Sequence, residues 1–196
     1  MNGANAGAEK AFNLEAFYDF VKRLIMGFEK AELNYAFTGA LAVSFYGVPR
    51  TTVDVDVIVY VSDDACKAKL VDALRKAGLD VDEAEIDRAL ESGYGIASFR
   101  DRETPYNVDV IISDKKFDRK RGKMAGLRAF FQMPEDLVLA KLRMIKATVP
   151  RERAQKDVDD VKAILKFTRV DLEAVRRKAE KEGTLQILED IMAQQY

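Results

Sequence analysis

The chain has 196 residues, 48% of them hydrophobic and 33% charged, with a formal net charge of −1. This suits one globular domain, with or without a helical extension, and excludes wholesale disorder and nucleic-acid binding through overall charge. There is no histidine and a single cysteine, Cys66, which removes imidazole bases, Ser-His-Asp and Cys-His catalysis, zinc–histidine sites and internal disulfides; carboxylates, hydroxyls, Lys and Arg are left to carry the chemistry.

The Gly/Ala/Asn-rich start, 1–11, reads as a disordered tail and not as a signal peptide. Nothing later approaches the roughly 18 uninterrupted apolar residues of a membrane span, so a cytoplasmic protein is expected, and abundant charge without Trp or His and with few Gln leans towards a thermophile. Apolar residues at helical spacing predict a helix over 14–32, followed by a short strand at Tyr35–Thr38 and a buried helix from Ala40 to Tyr46 that stops at Gly47. The loop Val48–Thr52 leads into the strand Val53-Asp54-Val55-Asp56-Val57-Ile58-Val59. Asp63 and Asp64 cap a helix that ends before Gly78 and carries Cys66 as a small buried thiol. Residues 80–91 read as an acidic helix. Two strands, 93–100 and 105–112, are expected either side of the polar turn Asp101–Thr104. A basic connector, a strand over 126–133, and helices from Pro134 onwards with breaks near Pro150, Thr168 and Gly183 complete an α/β core, 12–133, and a helical C-terminal part, 134–196.

The chemistry concentrates in the strand at 53–59 and in its echo Asn107-Val108-Asp109-Val110-Ile111-Ile112. Side chains alternate along a strand, so Asp54 and Asp56 point the same way. The strand runs on into an apolar stretch, which places it centrally, where a paired acidic stripe needs a positive partner. A divalent cation, taken by carboxylate oxygens, supplies that partner better than a solvated strand edge does. Gly39, at a strand-to-helix turn, leaves backbone N–H groups at a helix start, a site that favours phosphate; a plain tight turn is the bland alternative. Arg50 stands just upstream of the acidic strand, within reach of a phosphate or of a salt-bridge partner such as Asp54. Lys141 shares a helix face with Leu137, Met144 and Ile145, so it lines a cleft unless it extends to the surface. Asp82, Asp87 and Asp114 read as solvated surface, and so does the basic run Lys115 to Arg128, although that run would also suit RNA phosphates.

Thr38-Gly39-Ala40 followed by Asp54-Val55-Asp56, with Asp109 on a later strand, resembles the signature of the nucleotidyltransferase superfamily that includes DNA polymerase beta. Minimal nucleotidyltransferases and the AbiEii-like toxins of type IV toxin–antitoxin systems are similar over roughly residues 35–165. In them, segments like Pro134–Leu142 and Lys156–Val161 follow the core. The resemblance implies an α/β (α+β) fold built on a mixed sheet flanked by helices. It implies Asp54, Asp56 and Asp109 as catalytic, metal-holding carboxylates for magnesium or manganese. Thr38, Gly39, Ala40, Arg50, Lys141 and Asp157 would face a nucleoside triphosphate. Asp157 and Asp160 can also bridge back to Lys141 or Arg50, an arrangement equally suited to a structural network.

The implied activity is transfer of a nucleotide to a hydroxyl on RNA (a tRNA 3′ end for example), on a protein, or on a small molecule such as an aminoglycoside, with pyrophosphate released and no membrane partner. One departure stands out: Ala40 occupies a place usually held by Gly or Ser, and Thr38 or Ser44 would have to supply the missing hydroxyl. That departure favours the rival, a nucleotide-binding or antitoxin-partnered module without turnover; a purely structural α/β domain would leave the acidic strands unexplained.

Overall fold

A computed structural model describes residues 13–92 and 95–194; the expected tail and Gly93 lie outside the described residues. Helix α1 (Leu14–Lys30) starts at Asn13, whose side chain accepts from the backbone N–H groups of Glu15 and Ala16, and it buries Phe17, Phe20, Val21, Leu24, Ile25 and Phe28, whereas Leu14 and Tyr18, which the apolar spacing also put on that face, are exposed. Strand β1 (Tyr35–Phe37), helix α2 (Gly39–Tyr46) and strand β2 (Asp54–Tyr60) follow. Next come α3 (Asp64–Lys76), β3 (Leu79–Asp80), α4 (Glu83–Glu91), β4 (Ile96–Asp101), β5 (Asn107–Ser113), β6 (Arg119–Met124) and β7 (Leu127–Gln132). Helix α5 (Pro134–Ala147), a 3₁₀ turn (Arg151–Ala154), α6 (Gln155–Phe167), α7 (Leu172–Glu182) and α8 (Leu185–Ala193) end the described chain.

The seven strands form one mixed sheet in the order β3-β4-β5-β2-β1-β7-β6. β2 pairs parallel with β5 and antiparallel with β1, so the acidic strand is central, as its composition required. Its Val55, Val57 and Val59 are fully buried, whereas Asp54, Asp56, Ile58 and Tyr60 line the opposite, partly open face. One apolar cluster joins the sheet to Leu137, Val138 and Leu142 of α5, Val161 and Ile164 of α6, and Val175 of α7. Core and C-terminal helices therefore differ in element type while sharing their burial. No helix among the described residues is long and apolar enough to cross a membrane.

Three local expectations need correction. The basic connector contains β6, a strand at the sheet edge that pairs with β7 through a turn in which Ala125 and Gly126 both have positive φ, 50° and 81°. Two-residue hairpin turns favour such angles, and charged residues suit an edge, which is why the segment read as a loop. The acidic stretch begins as β3, and only Glu83 onwards is helical, capped by Asp82, which accepts from the Ala84 N–H.

Asp101 is the third. Expected to open a polar turn, it ends β4 instead, its side chain fully buried and paired with Arg23 of α1 through two hydrogen bonds of 2.9 Å. Burial alone would raise its pKa, but the Arg23 guanidinium and the hydroxyl and N–H of Thr104 outweigh it and hold the carboxyl below the usual range. A carboxyl lowered on folding adds stability above its unfolded pKa, about 3.9, and loses it as the pH falls further. Asp101→Asn is expected to cost about 1–3 kcal/mol at pH 7 and to flatten the loss of stability below about pH 4, as measured by urea unfolding at both pH values. Equal stability at pH 7 would remove the pair from the account.

Candidate active site

The carboxylates gather where β2, β5 and the start of α2 meet. Asp56 and Asp109 are register partners across the parallel strands, and Asp54 faces Asn107 one step along. Asp56 also approaches Gly39, whose φ is +54°; a Cβ there would stand 2.0 Å from Asp56 Oδ2, so only glycine fits. The Ala40 N–H donates to the Asp56 carboxylate, and the Thr38 N–H donates to the Asp56 carbonyl at 2.9 Å. Part of the helix-start donor set expected to meet phosphate is thus spent on holding Asp56.

Burial, then Asp109, and then Asp54 push the Asp56 carboxyl above its ordinary range; Lys141 and the Ala40 N–H oppose them without prevailing. The outer carboxylates are each held by one oxygen: Asp109 Oδ1 accepts from the Ser98 hydroxyl at 2.6 Å, and Asp54 Oδ1 from the Asn107 amide at 3.3 Å. Among the described residues, no three such side chains close round a common point to hold a metal. The donor chemistry nonetheless fits a hard divalent cation: carboxylate oxygens on one face, no thiolate or imidazole beside them, and an excess of negative charge.

Beside the carboxylates lies a half-buried ion-pair network. Asp160 of α6, 3% exposed, accepts from Arg50 and from Lys141 of α5, the latter at 2.8 Å; Lys141 also reaches Asp157 at 2.7 Å. Arg50 therefore pairs with Asp160 and not with Asp54. Burial lowers the Lys141 pKa, but its bonds to Asp157 and Asp160 more than restore it and leave the amine above its usual range, firmly cationic. Its charge lowers the Asp56 pKa, so the network lies within electrostatic reach of the carboxylate cluster.

Of the two hydroxyls expected to stand in for the one missing at Ala40, Thr38 is committed as a donor elsewhere, while Ser44 is engaged as an acceptor. Thr38 donates to Gln132 Oε1 at 2.5 Å, and Ser44 Oγ accepts from the Arg50 N–H at 3.0 Å. Asp87 pairs with Lys67 away from the site, and Cys66 is half-buried, donating to the Tyr60 carbonyl. Sequence reasoning missed Ser98, Asn107 and Gln132. For the first two, the detectable signal was the alternation of Ile96, Ser98 and Arg100 on the open face of β4 and the polar start of β5. A groove of about 730 Å³ between α1 and α3, lined by Arg23, Met26, Gly27 and Ala73 among others, shares no residue with this cluster.

No protein-family model matches the chain, and no curated protein is similar to it in sequence. Solved structures are similar to it in fold. The solution structure of the antibiotic-resistance factor ANT(2″)-Ia is 12% identical with a TM-score of 0.58, over 91% of this chain and 94% of that one. The crystal structure of ANT(2″)-Ia in complex with adenylyl-2″-tobramycin is 11% identical with a TM-score of 0.54, over 91% and 98%. An antigenic nucleotidyltransferase-like protein from Paracoccidioides brasiliensis is 14% identical with a TM-score of 0.53, over 87% and 93%. The chain has the nucleotidyltransferase fold.

Proposed function

We propose that this protein is a metal-dependent nucleotidyltransferase that moves a nucleoside monophosphate from a nucleoside triphosphate to a hydroxyl acceptor. The observation that carries the proposal is Asp56: a half-buried carboxylate seated against a glycine-only helix start and facing Asp109 in register, with its pKa raised first by burial and then by Asp109. Magnesium or manganese held by Asp54, Asp56 and Asp109 would supply the positive charge that stabilises both the entering and the leaving oxygen of an in-line displacement. The acceptor oxygen forms a bond to the α-phosphorus, the bond from that phosphorus to the bridging oxygen breaks, and pyrophosphate leaves. Asp109 would take the hydroxyl proton. Lys141 and Arg50, on exchanging Asp157 and Asp160 for substrate, would neutralise the β- and γ-phosphates.

Candidate acceptors are RNA, a protein hydroxyl and a small molecule. That ANT(2″)-Ia was solved with an adenylylated tobramycin adds weight to the small-molecule class. A nucleotide-binding module without turnover, alone or paired with an antitoxin, is the second reading. It is favoured by the commitment of Arg50 and Lys141 to Asp160 and Asp157. Incubation with magnesium, each α-labelled triphosphate, and cellular RNA, protein or aminoglycosides as acceptors decides between them. Labelled acceptor is the expected result. Stabilisation by triphosphate with no label on any acceptor would establish the second reading.

A further inference from the structure

We propose that Ser98 is a positioning residue for Asp109, fixing which carboxylate oxygen is presented to a cation; this rests on the metal-dependent reading above. β4 contributes no carboxylate to the site, yet it pairs antiparallel with β5 so that Ser98 is the register partner of Asp109. The Ser98 hydroxyl donates to Asp109 Oδ1 at 2.6 Å. Ser98 is exposed on the open face of the strand, between exposed Ile96 and Arg100. Water would satisfy it there, so the bond answers no burial requirement.

Its effect falls on the carboxylate. Asp109 and Asp56 confront each other across the strand pair with like charge, and an unrestrained Asp109 would be free to swing away from its neighbour. Held by Oδ1, it keeps one rotamer, and Oδ2, which takes no hydrogen bond among the described residues, remains for a ligand. The rotamer is chosen before a cation arrives, so that ordering cost is not charged against binding. Asn107 bears on Asp54 in the same sense across a longer 3.3 Å contact. Outer partners that orient ligating side chains typically change metal affinity by about 10–100-fold when removed.

The test is a titration of the intact, triphosphate-free protein with Mn²⁺ alone, followed by electron paramagnetic resonance of the free ion. Wild-type protein and Ser98→Thr are expected to bind alike, and Ser98→Ala to bind about 10–100-fold more weakly with an unchanged thermal midpoint in the absence of metal. Ser98→Ala binding as tightly as wild type would overturn the positioning role. So would equal weakening in Ser98→Thr, which keeps the hydroxyl. Wild-type protein that takes up no Mn²⁺, with Asp56→Asn indistinguishable from it, would overturn the metal-dependent reading itself and the inference with it.

Discussion

Asp56→Asn protein is expected to transfer nucleotide at least about 10³-fold more slowly than wild type, a loss of about 4 kcal/mol of transition-state stabilisation, while unfolding at no lower a denaturant concentration. The two halves of this outcome come from the same environment. The ionised carboxylate is disfavoured by its burial and by Asp109 and Asp54, so a neutral amide of the same shape relieves repulsion in the metal-free protein. The amide oxygen still accepts from the Ala40 N–H, and the small volume over Gly39 is respected. What it cannot do is add negative charge to a cation site. Labelled-triphosphate turnover beside urea unfolding reads both halves. An active Asp56→Asn enzyme would exclude Asp56 from catalysis, and an inactive but strongly destabilised one would make its role structural.

Asp160→Ala is expected to cost about 3–5 kcal/mol of stability, because removing one member of a buried ionic group strands the others. Arg50 and Lys141, 15% and 14% exposed, both converge on Asp160; Lys141 would keep Asp157, and Arg50 would keep no acidic partner among the described residues. Against the 5–15 kcal/mol that typically holds a domain together, such a loss is large. Asp160→Asn retains an acceptor oxygen and is expected to lose less. Denaturant unfolding of both variants tests the ordering, and a difference from wild type under about 1 kcal/mol for Asp160→Ala would place the network among the ordinary surface ion pairs. The network also ties α6 and α5 to the loop before β2, so the C-terminal helices bear on the site as well as on the core.

How much of this was legible in the chain depends on the range of the interaction. The faces of α1 and β2 follow from periods of 3.6 and 2, which are properties of the backbone and survive any tertiary context. Gly39 at a strand-to-helix turn was legible as a position, but its reason was not: the Asp56 carboxylate occupies the space a Cβ would take. β6 was hidden because an edge strand tolerates the composition of a loop. Asp101 looked like a turn residue because nothing nearby in sequence reveals that Arg23, 78 positions earlier, will cover it.

By itself the sequence determined the acidic central strand, its echo at Asp109, the absence of imidazole chemistry and of an internal disulfide, and the alternation of an α/β core with later helices. Only the tertiary structure decided that Asp109 is bound by Ser98, that Arg50 turns to Asp160, and that Thr38 is spent on Gln132. The division has a physical cause. Which face a side chain occupies is set by local backbone geometry, whereas which partner it meets is set by sheet order and helix packing, and these bring residues as far apart as Arg50 and Asp160 into one charged cluster.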